Sequence, residues 1–112
     1  MLFGLFNNEL NISAQDAMEW MKSSAEIKLL DIREKREWDG GHIQGAVLAT
    51  DQVMKEVLSK WDKNIPIVCY CASGMRSLQA AKNLSQNGFT NVKSMKGGIL
   101  SWAHQAGGKI TR

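Results

Sequence analysis

The run Ile65-Pro66-Ile67-Val68-Cys69-Tyr70 constrains the fold most, because its apolar residues do not alternate with polar ones. A strand that hides both faces belongs in the middle of a parallel sheet covered by helices on either side. The polar, glycine-containing stretch Cys71-Ala72-Ser73-Gly74-Met75-Arg76 follows it directly. Leu78, Ala81 and Leu84 then recur at helical spacing, and Asn87-Gly88-Phe89 offers a left-handed glycine stop with an apolar residue to fold back.

The rest of the chain repeats this alternation. Ser13 can cap a helix whose apolar positions are Ala14, Ala17, Met18 and Met21, with Asp16 in its first turn. A strand is predicted over Ile27–Ile32, a charged connector with one helical turn over residues 33–41, and a second strand over Ala46–Ala49. Gly40, Gly41 and Gly45 frame the turn into it. Val53, Met54, Val57, Leu58 and Trp61 give another helix. A last short strand is expected around Val92–Ser94, and a terminal helix after Gly97-Gly98 through Ile99, Ala103 and Ala106. The pattern predicts an α/β fold: an open parallel sheet flanked by helices on both faces. Trp38 and Trp102 are expected near the sheet, in the core or partly buried.

The 112 residues, 44% of them hydrophobic, suit one domain, 1–112, with its own core. A net charge of +3 is mild and scattered, and the charged run Asp31–Asp39 nearly cancels. No concentrated basic face is available for nucleic acid. Apolar stretches fall far short of a membrane span, and Met1–Phe6 lacks the basic lead of a signal peptide. Cys69 and Cys71 are too close to close a useful loop, so the cytoplasm is the expected compartment. They do not combine with His42 and His104 at zinc spacing, so neither metal nor cofactor is expected. His42 reads as a structural hydrogen-bonding residue and His104 as a helix-surface one.

In open α/β sheets, ligands bind beyond the carboxyl ends of the strands. Cys71 stands there, before a loop whose amides, with the helix behind it, can form an anion cradle. That setting lowers a thiol below its usual value of roughly 8.5 and favours thiolate. Gly74 permits the bend that turns amides inward, and Arg76 adds a fixed positive charge with a bidentate fork. These residue types ask for a cysteine nucleophile and an anionic substrate. Cys69, with no such loop, reads as a buried structural thiol.

The sequence resembles the single-domain rhodaneses, the thiosulfate sulfurtransferase family. Asp31-Ile32-Arg33, Glu37-Trp38 and Gly41-His42-Ile43-Gln44-Gly45-Ala46 match the upstream signature. Cys71 through Ser77 matches the active-site loop, and Gly97-Gly98 with Trp102 the downstream signature, over about residues 13–107. Gln44 departs from the family, which often has proline there. The resemblance implies a rhodanese-like fold and a persulfide mechanism. Cys71 takes a sulfane sulfur from thiosulfate or a similar donor and passes it to a thiophilic acceptor. It also implies that Cys71 and Arg76 are catalytic, with Ala72, Ser73, Gly74, Met75 and Ser77 holding the substrate sulfur. Arg33 or Lys96 would help attract the donor anion. The implied partners are a small-molecule donor, a thiol or cyanide-like acceptor and a protein sulfur acceptor; the chain is expected to be a monomer without nucleic-acid or membrane partners.

Two rival readings share the loop. Cysteine phosphatases and arsenate reductases use Cys-x5-Arg, whereas only four residues, Ala72 to Met75, separate Cys71 from Arg76. The shorter ring suits a sulfur atom and is too small for a tetrahedral phosphate. A sulfur carrier without efficient turnover would keep the same loop.

Overall fold

The computed structural model describes residues 10–112; the reading of Met1–Phe6 lies outside the described residues. In chain order the elements are β1 (Asn11–Ile12), α1 (Ala14–Ser23), β2 (Lys28–Asp31), α2 (Lys35–Gly40), β3 (His42–Ile43), β4 (Val47–Leu48) and α3 (Asp51–Lys60). They continue with β5 (Ile67–Tyr70), α4 (Met75–Gln86), β6 (Val92–Met95), α5 (Gly98–His104) and β7 (Ile110–Thr111). Five strands form one parallel sheet in the order β1-β6-β5-β2-β4, and β3 pairs with β7 in a small antiparallel ribbon.

The strand expected to be central is central. β5 lies between β2 and β6, and all four of its residues are buried. Successive side chains on a strand point to opposite faces, and this partitions the core. Val68 and Tyr70 join Leu29 and Met95 against α1 and α5, through Ala14, Ala17 and Trp102. Ile67 and Cys69 join Leu30 and Val92 against α3 and α4, through Val57, Ala81 and Leu84. The sheet is therefore flanked by helices on both faces.

Local signals act as their chemistry requires. The Ser13 hydroxyl accepts from the Asp16 amide, capping α1. Gly88 takes φ +95 after α4, and the Phe89 amide returns to the Leu84 carbonyl while its ring is buried. Three short strands depart from expectation. β1, β3 and β7 were predicted as no element, and each has only two residues. The terminal helix also ends earlier than expected. Ala106 lies beyond it, because its amide reaches back to the Ser101 carbonyl and Gly107 turns left-handed at φ +67. Among the described residues, no helix is long and apolar enough to cross a membrane.

Candidate active site

Cys71 follows the last residue of β5, so the buried strand delivers its sulfur to the carboxyl edge of the sheet. Gly74, at φ +110, caps α4 and turns the chain back over the thiol. Outward-facing carbonyls fix the loop's orientation. The Ile99 amide donates to the Cys71 carbonyl at 2.9 Å and the Leu100 amide to the Ala72 carbonyl at 3.4 Å. With the carbonyls held by the first turn of α5, the amides face inward. Gly74 N–H reaches Cys71 Sγ at 3.1 Å and Ser77 N–H reaches it at 3.3 Å. The Ser77 hydroxyl lies 3.5 Å from the same sulfur.

Opposing effects set the acidity of this thiol. Burial pushes it up, but the Ser77 hydroxyl and the amides of Ser77, Gly74 and Ser73 outweigh burial and hold it below the ordinary thiol value. Cys69 has only the first influence and a neighbouring thiol, and is pushed up to about 12. Two cysteines separated by one residue therefore differ sharply: one favours thiolate, the other stays protonated in the core. His42 is also spent structurally. Its Nδ1 lies 3.1 Å from the Trp38 carbonyl, and its ring stacks on Trp38 with centroids 3.5 Å apart. Trp102 is in the core, whereas Trp38 is partly buried and belongs to neither apolar cluster. His104 is exposed, as expected of a helix-surface residue.

The predicted loop residues divide by role. Gly74 and Ser77 meet the sulfur directly, and the Ser73 amide also favours its anion. Ala72 serves the loop frame through its carbonyl, and Met75 opens α4 and is 80% exposed. Arg76 has less freedom than the sequence suggests. Both arms of its fork are held by Glu37 of α2, at 2.8 and 3.0 Å. Arg33 is further from availability: its guanidinium binds both carboxylate oxygens of the fully buried Asp31 and the Gly41 carbonyl. Tyr70 donates to the same Asp31 at 2.6 Å and accepts from the Ile43 amide, so this network braces the sheet edge. Lys96 remains exposed and lines a cavity of ≈530 Å³ beside the loop, with Ser13, Ser73, Ser101 and Gln105. A separate apolar groove of ≈390 Å³ runs past Met18, Ile43, Gln44 and Trp102 and is lined by no residue of the loop.

Sequence reasoning missed two residues of this neighbourhood. Glu37 was seen only as part of a signature; its tie to a residue 39 positions later has no local signal. Ser94 was seen as the end of a strand. A serine two residues after the core residue Val92, hence on the same buried face, could have drawn notice.

The Glu37–Arg76 pair leads to a pH prediction. The Arg76 fork and the Glu34 amide hold Glu37 at about 2, below its ordinary 4.5. A depressed carboxyl pKa stabilises the fold above the unfolded value and loses that contribution as pH falls toward the folded one. Since the pair is partly exposed, solvent screening limits Glu37→Gln to a loss of about 0.5 kcal/mol near neutrality. Urea melts should show that loss at pH 7 and almost none near pH 2; a pH-independent difference would refute the assignment.

Comparison with known proteins agrees with this fold. The thiosulfate sulfurtransferase GlpE of Shewanella oneidensis is 31% identical over 86 residues, covering 77% of this chain and 84% of that protein. YqhL of Bacillus subtilis, uncharacterised, is 35% identical over 82% of this chain and 70% of its own length. The probable adenylyltransferase/sulfurtransferase MoeZ of Mycobacterium tuberculosis is 33% identical over 84% of this chain, which spans only 24% of that longer protein. Among solved structures, the Anabaena Alr3790 protein superimposes with a TM-score of 0.79 at 25% identity, covering 89% of this chain and 80% of that one. A Rhodopseudomonas palustris protein described as a possible tyrosine phosphatase reaches 0.78 at 29% identity, covering 94% and 88%. The family model for the rhodanese-like domain matches residues 13–105, and with it every element from α1 to α5; the chain belongs to the rhodanese-like domain family.

Proposed function

We propose that this chain is a sulfurtransferase that carries sulfane sulfur on Cys71. The observation behind this reading is the convergence of the Gly74 and Ser77 amides on one sulfur atom at the end of β5. Such donors stabilise negative charge on sulfur before and after transfer. The Cys71 thiolate attacks the outer sulfur of thiosulfate, a new S–S bond forms, and the bond to the sulfonate sulfur breaks. Sulfite leaves with the electron pair, and the anionic end of the Cys71 persulfide remains for an acceptor thiolate or cyanide to remove. No external oxidant or reductant is needed.

Loop length supports sulfur over phosphate. Four residues separate Cys71 from Arg76, and Glu37 already occupies the guanidinium that a phosphatase loop would offer to phosphate. Thiosulfate treatment should add one sulfur to the protein, and peptide mapping should place it on Cys71. Assayed side by side, thiocyanate formation should be measurable and aryl phosphate hydrolysis negligible. Sulfur on Cys69, no added sulfur, or comparable phosphatase turnover would each overturn the reading.

A carrier reading also has support, because the domain recurs within the much longer MoeZ. In that case the persulfide forms once and waits for a protein thiol. Stoichiometric loading with thiosulfate but no turnover with cyanide would select it. We place the chain in the cytoplasm, as a monomer of one domain, with a small-molecule donor and a thiol acceptor.

A further inference from the structure

Beneath the reactive sulfur, two serine hydroxyls from different elements meet. Ser77, in the first turn of α4, and Ser94, on β6, are both fully buried, and their oxygens are 2.8 Å apart. Ser94 stands opposite Cys69 of β5, in the interior of the sheet. A buried hydroxyl costs free energy unless it is hydrogen-bonded, and alanine or valine would fill such a place without that demand. The pair therefore calls for a reason beyond packing.

Counting protons assigns the direction of the contact. Each hydroxyl has one proton to donate and lone pairs to accept with. Among the described residues, the Ser94 hydroxyl meets only Ser77, and no buried polar side-chain atom is left without a partner. If Ser77 donated to Ser94, the Ser94 proton would be stranded in the core. If Ser94 donates to Ser77, both requirements are met. The Ser77 proton is then left with two acceptors, the Gly74 carbonyl at 3.3 Å and Cys71 Sγ at 3.5 Å. While Cys71 is a thiol, its S–H points to Ser77 Oγ and the Ser77 proton rests on Gly74. Once the sulfur is anionic, the Ser77 proton turns to it.

We propose that Ser94 is a positioning residue for sulfur transfer: it donates to Ser77 Oγ, so that the Ser77 proton is aimed at the anionic sulfur of Cys71. The proposal rests on Cys71 being the sulfur-bearing residue. Chained hydroxyls polarise one another, so the donor reaching Cys71 is stronger than a lone serine. Other ionisable groups acting on the thiol are Cys69 from β5 and Arg76 from α4, the latter tied to Glu37 of α2. On β6, Lys93 is one residue out of phase with Ser94 and so belongs to the other face. Lys96 and His104, before and at the end of α5, are exposed. None of these groups changes when Ser94 is replaced.

The test is the pH profile of Cys71 alkylation by iodoacetamide, with the modified residue identified by peptide mapping. Ser94→Ala should move the midpoint to higher pH and slow alkylation below it about threefold. Ser77→Ala should do at least as much, and the double variant should match Ser77→Ala alone, because Ser94 acts through Ser77. Valine and threonine share one shape, so Ser94→Thr should keep the wild-type midpoint while Ser94→Val loses it, which separates the hydroxyl from packing. An unmoved midpoint in both Ser94→Ala and Ser94→Val, or additive shifts in the double variant, would overturn the proposal. Thiosulfate loading of the wild type is measured in parallel. Absence of sulfur on Cys71 would defeat the sulfurtransferase reading while leaving the alkylation result to judge the relay.

Discussion

A Cys71→Ser variant is expected to fold like the parent and to lose sulfur transfer by about three orders of magnitude or more. Oxygen and sulfur are close enough in size for the substituted hydroxyl to occupy the same niche and accept from the Gly74 and Ser77 amides. Acidity is what changes. The loop's donors hold the thiol below its ordinary value and so favour thiolate, but an alcohol needs a base to take its proton. The Ser77 hydroxyl, within hydrogen-bond reach of the Cys71 sulfur, is no base, and neither is the Arg76 guanidinium. Circular dichroism melts should coincide with the parent, and mass spectrometry after thiosulfate treatment should show no added sulfur. Turnover within tenfold of the parent would remove Cys71 from the mechanism.

The second large effect is expected at Gly98. It adopts φ +61, and a Cβ built there runs into the carbonyl oxygens of both Cys71 and Ala72. Those are the two carbonyls that the first turn of α5 holds. Gly98→Ala must therefore push the loop and the helix apart and also accept a left-handed backbone, which together should cost about 3 kcal/mol. Loop geometry should suffer more than the fold. Cys71 should return toward the reactivity of an ordinary thiol, and sulfur loading should fall at least tenfold even where the variant remains folded. Gly45, at φ +88 with open space around it, is the control: Gly45→Ala carries the backbone strain without the collision. Equal losses at the two positions would show that backbone conformation, and not crowding of the loop, was responsible.

The sequence disclosed what short-range chemistry controls. The Ile67–Tyr70 strand showed as an apolar run without alternation, the start of α1 as a serine ahead of helical spacing, and the end of α4 as glycine followed by phenylalanine. Each of these signals spans a few residues, and the structure uses each locally. The strands β3 and β7 had no such signal, because they exist through pairing with one another across nearly 70 residues of chain. At the site, residue types were enough to single out Cys71 and Gly74. They could not reveal that Arg76 is engaged by Glu37, or that Arg33 is sunk onto Asp31, because an arginine's partner depends on tertiary approach. Ser94 carried only the weak signal of its spacing from Val92, and its meaning depends on a helix from elsewhere laying a second hydroxyl against it.

The pinning of the loop by α5 also sets when the chain acquires its chemistry. A growing polypeptide releases Cys71 well before Ile99 and Leu100, whose amides hold the Cys71 and Ala72 carbonyls outward. Until that helix docks, the Cys71 and Ala72 carbonyls lack the donors that hold them outward, and the loop's amides are less firmly aimed at the sulfur. Reactivity of Cys71 toward a thiol reagent at low pH therefore becomes a report on whether α5 is docked against the loop.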